Sequence, residues 1–183
     1  PTQKLPMFEQ GYVSIQDAGA QLAAPFLDVR DGMTVLDACA APGGKSTHLM
    51  EVANIQLTVL DNDQQRLDRV SENFKRLGIE PFQQVCGDAA LPSSWWDGKR
   101  FDRILADVPC SASGVVGRHP DIKWLRRITD LATFATWTDR SLNYPHQRSH
   151  SLVFVKQTRL GLRCCGRFAL SMPQAMVIHS RVR

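Results

Sequence analysis

The chain has 183 residues, of which 43% are apolar and 22% are charged, and this length suffices for one domain with a sizeable core. No apolar run is long enough to span a membrane and no signal peptide opens the chain, so we expect neither a membrane protein nor a secreted one. The five cysteines lack the spacing of metal ligands, which favours free thiols, a reducing cytoplasmic setting and no metal.

The net charge of +4 is unevenly distributed along the chain. Residues 1–127 hold 14 Lys and Arg against 16 Asp and Glu, a balance of −2, whereas residues 128–183 hold 8 against 2, a balance of +6. A basic tail is one feature of nucleic-acid-binding proteins. Because the chain begins without a methionine, we expect it to be a piece of a longer protein.

The N-terminal part is predicted to be a short segment, residues 1–12, followed by residues 13–24, which lead into a helix. Pro25 should end that helix, because proline removes a backbone donor. From residue 33 onward, apolar strands alternate with helices, which is the pattern of a parallel sheet with crossover helices.

The clearest helix is predicted over residues 64–77, with Asp63 and Gly78 as its caps. Its buried stripe consists of Leu67, Val70, Phe74 and Leu77. The loop at 92–98 contains two tryptophans, for which we favour packing at the rim of the core.

Two glycines and a proline lie where the predicted strand at residues 33–36 passes into a helix that begins near Thr47. Glycine lets the backbone approach a ligand closely, and a helix N-terminus offers free N–H groups and a partial positive charge. The stretch at 37–48 therefore predicts a nucleotide-type cofactor site at the first crossover of an open α/β sheet.

Four interpretations of this loop compete. A phosphate-binding Walker loop needs a glycine where Cys39 stands, and the G-x-G-x-x-G spacing of a dinucleotide site is absent. The spacing does fit the loop that S-adenosylmethionine (SAM) methyltransferases place around the amino-acid part of SAM. An ordinary glycine turn is the fourth interpretation.

Acidic residues follow each of the next three predicted strands. Asp61 comes about twenty residues after the glycine loop, where a carboxylate suits a ribose diol. Asp88 and Asp107 end the two strands after it. A single aspartate at a strand end is more often a cap, but three in step with a glycine loop favour a ligand site at the carboxyl ends of parallel strands.

Cys110 follows the last of these acids and is open to three interpretations: a nucleophile, a proton shuttle or a small buried residue. Residues 117–127 are basic and contain one tryptophan, a mixture that suits a phosphate backbone and a stacked base but also an ordinary solvated loop.

With these residues in view, the chain resembles the Nop/Sun group of RNA cytosine-C5 methyltransferases, in particular its bacterial Fmu/Sun branch, which acts on 16S ribosomal RNA. The resemblance is carried by residues 37–45, 107–111 and 118–124, with 11–17 also fitting, and it covers about residues 1–127. It implies an α/β, Rossmann-like SAM-dependent methyltransferase fold with a mostly parallel sheet, incomplete here at its C-terminal strands. Full-length members also carry an N-terminal RNA-binding domain, which we expect this chain to lack.

The resemblance also implies roles for individual residues. The cofactor SAM would be held by Cys39, Ala40, Ala41, Pro42, Gly43, Gly44, Lys45, Asp61, Asp88 and Asp107. Ribosomal RNA would be the partner, contacted by Arg118, His119, Lys123 and Trp124. We expect a cytoplasmic monomer without a membrane or a metal.

In the family mechanism, a cysteine thiolate adds to C6 of cytosine so that C5 becomes able to accept a methyl group. Asp107 would contact the base, and Cys110 would be the cysteine that assists product release. The attacking cysteine of the family lies in a Thr-Cys-Ser stretch after the next strand, and no such stretch follows Arg127.

The tail, residues 128–183, departs from the family in composition as well, because it contains no glutamate and has sustained apolar periodicity only around 151–155. An out-of-frame reading of the coding sequence would produce both changes, and we expect the tail to be divergent or disordered. Cys164 and Cys165 lie near the expected position of the nucleophile but not in its motif.

Three functions remain in competition. The first is an RNA cytosine-C5 methyltransferase, and the second is an inactive SAM- or RNA-binding remnant of one. The third is a dinucleotide-dependent oxidoreductase on a similar sheet, which the loop spacing disfavours. Binding of SAM without turnover would separate the second from the first, and binding of NAD would be needed for the third.

Overall fold

The computed structural model describes residues 4–107, 121–125 and 127, together with the tail segments 149–154, 157–158, 161–163, 169–170 and 176–180. Within these ranges the strands are β1 (Val13–Asp17), β2 (Thr34–Asp37), β3 (Gln56–Asp61), β4 (Gln83–Cys86), β5 (Phe101–Ala106), β6 (Ser149–Phe154), β7 (Gln157–Thr158), β8 (Gly161–Arg163), β9 (Ala169–Leu170) and β10 (Met176–Ser180). The helices are α1 (Ala18–Gln21), α2 (Ala23–Leu27), α3 (Gly44–Val52), α4 (Gln64–Leu77) and α5 (Ile122–Leu125), and a 3-10 helix covers Pro92–Ser94.

The central sheet has the strand order β4-β3-β2-β5-β6, and every neighbouring pair in it is parallel. The α/β fold predicted from the alternating strands and helices is therefore confirmed. β6 belongs to the tail and coincides with the stretch near 151–155 where the sequence is periodic. Elsewhere, β1 pairs with β10 in antiparallel fashion, and β7, β8 and β9 form a small antiparallel sheet.

The sheet divides the core into two layers because successive side chains of a strand point to opposite faces. One layer contains Val35 and Val59 and packs against helices α2, α3 and α4. The other contains Leu36, Leu60 and Ile104 and is joined by Trp95 from the loop after β4. Trp95 thus packs at the edge of the core, as predicted.

Helix α4 has the bounds and caps that its sequence predicts. The Asp63 carboxylate accepts hydrogen bonds from the backbone N–H groups of Gln65 (2.8 Å) and Arg66 (3.4 Å). Gly78 closes the helix in the left-handed conformation at φ 63°. The predicted stripe of Leu67, Val70, Phe74 and Leu77 is fully buried.

The N-terminal region differs from its prediction in two ways. Residues 13–17 form strand β1 rather than the approach to a helix, and Pro25 lies inside α2 instead of ending a helix. Proline is tolerated there because the N–H groups of a helix's first turn have no intrahelical partner to lose.

A side-chain clip, formed by Asp102 and Thr34, joins the amino-terminal ends of the neighbouring strands β2 and β5. The Asp102 carboxylate of β5 accepts hydrogen bonds from the backbone N–H (2.8 Å) and the hydroxyl (2.9 Å) of Thr34 at the start of β2. The clip fixes the register of β2 against β5, in which Asp37 lies beside Leu105. None of the described helices is long and apolar enough to cross a membrane.

Candidate cofactor site

The glycine loop between β2 and α3 is held tightly from both sides. Its Ala40 N–H donates to the Leu60 carbonyl of β3 (3.0 Å), and the Gly43 N–H donates to the Ala40 carbonyl (2.7 Å). Gly43 has a φ of 97°, and a Cβ atom there would lie 3.3 Å from Cγ1 of Val70 in α4. Glycine is therefore needed at 43 both for its backbone conformation and for its contact with α4.

The space beside Gly44, the first residue of α3, is open. A Cβ atom at Gly44 would meet no atom within 4 Å outside its own helix and chain neighbours. The first turn of α3 leaves N–H groups without intrahelical partners, and the helix dipole adds a partial positive charge. This helix end is suited to the carboxylate of an amino acid.

Asp61 ends β3 and is only 2% exposed. Its carboxylate accepts hydrogen bonds from the N–H groups of Ala41 (3.2 Å) and Asp63 (3.3 Å). Arg66, 44% exposed, also donates to it over 3.3 Å and reaches the Ala41 carbonyl (3.4 Å). Asp61 therefore lies against the glycine loop, as the sequence predicts, but the guanidinium of Arg66 covers it.

Sequence reasoning missed Arg66. The signal was present, since Arg66 follows Asp61 by five residues and lies in the first turn of α4, a position from which a long side chain reaches back to the strand end.

Lys45 and Asp107 form an ion pair in which Nζ and Oδ2 lie 2.6 Å apart. Lys45 comes from the first turn of α3, and Asp107 directly follows β5. Both side chains are partly exposed, at 23% and 33%. The pair thus joins the glycine loop to the neighbouring strand end and remains accessible from solvent.

Asp37, at the end of β2, is a buried carboxyl beside this pair. It is 1% exposed and accepts a hydrogen bond from the Ser46 hydroxyl (2.7 Å), while its Oδ1 has no hydrogen-bond partner among the described atoms. Burial raises the pKa of Asp37 to about 6, opposed by Ser46 and Lys45 and reinforced by Asp107.

Cys39 lies in the loop among these acids. Burial raises the pKa of its thiol to about 12, and the charges of Asp37, Asp61 and Asp107 add to the shift. This environment favours the protonated thiol over the thiolate at neutral pH.

Asp88 lies at the same rim, two residues beyond β4, and is exposed. Its carboxylate accepts a hydrogen bond from the Ala90 N–H (2.8 Å), and its carbonyl accepts one from Trp95 Nε1 (2.9 Å). The neighbouring Gly87 N–H donates to the Asp61 carbonyl (2.9 Å), so the two strand ends adjoin. A role for Asp88 toward adenine stays a prediction.

Only some of the remaining predicted site residues lie in the part of the chain that the structure describes. Cys110, Arg118 and His119 lie outside the described residues, and Lys123 is described as part of the α5 backbone alone. Trp124 in α5 is 87% exposed. Within the described ranges, no group of three or more His, Cys, Asp or Glu side chains is arranged to hold a metal ion.

The chemistry of this rim fits SAM. The open N-terminus of α3 suits the carboxylate of its methionine part, and a strand-end carboxylate at Asp61 suits the ribose hydroxyls. The charges of Asp37, Asp61 and Asp107 all act on Cys39, so this part of the rim is acidic, which suits the cationic ammonium and sulfonium groups of SAM. A parallel sheet with this loop and these acids defines a Rossmann-like SAM-dependent methyltransferase domain.

Comparison with known proteins gives the family. Residues 24–149 match the family described as "16S rRNA methyltransferase RsmB/F". The chain is 56% identical over 132 residues to a Ribosomal RNA small subunit methyltransferase B from Vibrio vulnificus (strain YJ016), covering 72% of the chain and 31% of that protein. It is 49% identical over 152 residues to the protein of the same name from Citrobacter koseri, covering 81% and 35%.

A solved structure agrees with these matches. The chain resembles the crystal structure of NSun6 from Pyrococcus horikoshii with SFG, at a TM-score of 0.73 and 28% identity, over 83% of the chain and 40% of that structure. The chain belongs to the 16S rRNA methyltransferase RsmB/F family, whose cofactor is SAM. It spans about a third of the length of the curated relatives it matches.

Proposed function

We propose that this chain is the cofactor-binding core of an enzyme that transfers a methyl group from SAM to C5 of a cytosine in 16S ribosomal RNA. The observation that carries the proposal is the Lys45–Asp107 pair, because it lies next to the glycine loop and at the end of the strand that leads to Cys110. The names of the curated relatives support the ribosomal RNA substrate.

The chemistry requires a nucleophile because C5 of cytosine is itself a weak one. A cysteine thiolate forms a C–S bond at C6, and the displaced electron pair makes C5 reactive toward the methyl group that SAM supplies. Loss of the C5 proton to a base then returns the C–S electron pair to sulfur and restores the ring. Asp107 would hold the base edge, and Cys110 would assist the release.

The alternative is an inactive remnant that binds SAM without transferring its methyl group. It is favoured by the missing Thr-Cys-Ser stretch after Arg127. For the unaltered chain we therefore expect SAM binding without methyl transfer, whereas a chain given a family-type tail should be active.

The deciding experiment replaces residues 128–183 with the corresponding segment of the Vibrio vulnificus relative. Both proteins are incubated with 16S ribosomal RNA and labelled SAM, and 5-methylcytosine is measured by mass spectrometry. The chimera should form it and the unaltered chain should not. A chimera that binds SAM yet forms no 5-methylcytosine would contradict the proposed reaction.

Cysteine variants assign the nucleophile if the unaltered chain turns out to be active. Loss of transfer in Cys110→Ala would make Cys110 the attacking residue, and loss in the Cys164→Ala/Cys165→Ala pair would make the tail a working part of the enzyme. Cys86→Ala is the matched control, because Cys86 is an exposed free thiol at the end of β4.

The proposal extends to the division of the chain into a core and a tail, to its oligomeric state and to its location in the cell. We propose a core of residues 1–127, a divergent tail of 128–183, and a cytoplasmic monomer that works on ribosomal RNA without a membrane or metal. Amide hydrogen exchange tests the division: the tail should exchange faster than β2, and equal protection of the two would contradict it.

A further inference from the structure

Arg76, in the last turn of α4, fastens the N-terminal segment of the chain to that helix. Its guanidinium donates to the carbonyls of Phe8 (2.8 Å) and Val13 (3.0 Å) and to the Ser14 hydroxyl (3.3 Å). The same group lies over the Phe8 ring, 4.1 Å from its centre. One side chain thus holds points six residues apart along the N-terminal segment.

The backbone of Arg76 makes a second contact with the same segment. Gly11 has a φ of 75°, and a Cβ atom there would collide with the Arg76 carbonyl oxygen. Only glycine permits this approach. The side chain and the backbone carbonyl of Arg76 therefore both fix the path of the chain into β1.

Strand β1 carries this fixed path to the cofactor loop. Gln16, near the end of β1, donates from Nε2 to the carbonyl of Gly44 (3.2 Å). That carbonyl also accepts a hydrogen bond from the Thr47 hydroxyl (3.2 Å). Gln16 therefore contacts the first residue of α3, whose open N-terminus forms part of the SAM site.

We infer that Arg76 is a positioning residue for the SAM site, acting through the N-terminal segment and Gln16 on the first turn of α3. The inference rests on the proposed SAM site and adds residues that bind no part of SAM themselves. Its physical basis is that a helix end binds an anion only when its N–H groups keep their direction. Gln16 holds the turn, and Arg76 holds the strand that carries Gln16.

The hydrogen bonds of Arg76 indicate that it holds several oxygen atoms in place, rather than simply supplying a positive charge. Among the described residues no carboxylate forms an ion pair with it, and its acceptors are carbonyl, hydroxyl and amide oxygens, including Asn73 Oδ1 at 3.0 Å. Burial lowers the pKa of Arg76, and the charges of Glu9 and Glu51 oppose the shift. A planar fork with five donors satisfies several oxygens in one fixed geometry, which an ammonium group cannot do.

A double-mutant cycle on SAM affinity tests the inference. Calorimetry is performed on the full chain with Arg76→Met, Gln16→Ala and the double variant, at a temperature where circular dichroism shows all of them folded. Arg69→Met is the matched control, since Arg69 is an exposed arginine on the same helix. Arg76→Lys keeps the charge without the fork and replaces Arg76→Met in the cycle if that variant does not fold.

Each single variant should weaken SAM binding about fivefold, the loss expected of one hydrogen bond. The double variant should be no weaker than the weaker single one, because both changes act along the same path. Arg69→Met should bind SAM normally.

Four results would overturn the inference. An Arg76 variant that lowers the melting temperature yet binds SAM normally would show a purely structural role, and additive losses would show two independent ones. If the unaltered chain bound no SAM, the proposed function would fail together with the inference, whereas normal binding by every variant would refute the inference alone.

Discussion

Lys45 Nζ lies 2.6 Å from Asp107 Oδ2, so the first turn of α3 and the end of β5 are joined by a charge-assisted contact at the rim of the sheet. Asp37 lies buried behind this pair, and both partners influence its pKa in opposite directions. The three residues form one electrostatic unit, and a change in any of them should be detectable in the others.

Removal of the Lys45 charge should raise the pKa of Asp37 above about 6, because Lys45 favours the ionised carboxylate there. The measurement is the carboxyl carbon shift of Asp37 followed by NMR as a function of pH in Lys45→Met. Lys99→Met, a change at an exposed lysine on a distant loop, should leave the titration unchanged. A lower midpoint in Lys45→Met would contradict the arrangement.

Asp37→Asn should remove a pH dependence of stability. The folded-state pKa of about 6 exceeds the ordinary value of 3.8, so the folded state binds the proton more tightly than the unfolded state. The resulting stabilisation is complete below about pH 4 and is lost as pH rises to about 6. A shift of this size corresponds to roughly 3 kcal/mol at most.

Urea unfolding at pH 4.5 and pH 7.5 measures that effect. The free energy of unfolding of Asp37→Asn, relative to the unaltered chain, should be higher at pH 7.5 than at pH 4.5. The reverse order, or no change with pH, would mean that Asp37 stays ionised when the protein is folded.

Asp61→Ala should weaken SAM binding tenfold or more, since a carboxylate bound to a ribose diol contributes roughly 1.5–3 kcal/mol. Asp68→Ala is the control, because Asp68 is an exposed aspartate of α4 that bonds only to Gln64 among the interactions described. Calorimetry with unchanged affinity in Asp61→Ala would refute the assignment.

Gly43→Ala and Gly44→Ala should separate stability from binding. A Cβ at Gly43 would have φ 97° and would press on Val70, so this variant should lose about 1–2 kcal/mol of stability. A Cβ at Gly44 would enter open space within a helix and should cost no stability.

Both glycine variants should nevertheless bind SAM less tightly, because the added methyl group at Gly44 occupies the approach to the helix end. Thermal unfolding and calorimetry on the same samples provide the two readouts. Undiminished SAM binding by Gly44→Ala would show that the cofactor does not approach this part of the loop.

The features that sequence predicted best are those fixed by neighbouring residues. Helix α4 follows from its apolar period and from Asp63 and Gly78, and the glycine loop follows from the strand and helix on either side. The strand-end position of Asp61 follows from the parallel sheet itself.

The features that sequence could not provide depend on residues far apart in the chain. The hydrogen bond from Arg76 to Phe8 joins residues 68 positions apart, and no local sequence pattern predicts it. The burial of Asp37 and the cover of Arg66 over Asp61 likewise depend on how the loop folds between β2 and β3. The prediction that Pro25 ends a helix is wrong because composition does not locate the start of α2 two residues before it.

The clip between Asp102 and Thr34 lies at the opposite end of β2 and β5 from the acidic residues of the rim. Alignment of β2 with β5 is secured at their amino-terminal ends, while Asp37 and Asp107 are presented at the opposite ends. Because a slip of one residue would turn every side chain of a strand to the other face, this distant fastening protects the spacing of the acids. A substitution in a loop at the carboxyl-terminal rim should therefore leave the alignment of β2 with β5 unchanged, because the bonds that fix it lie at the other end of the sheet.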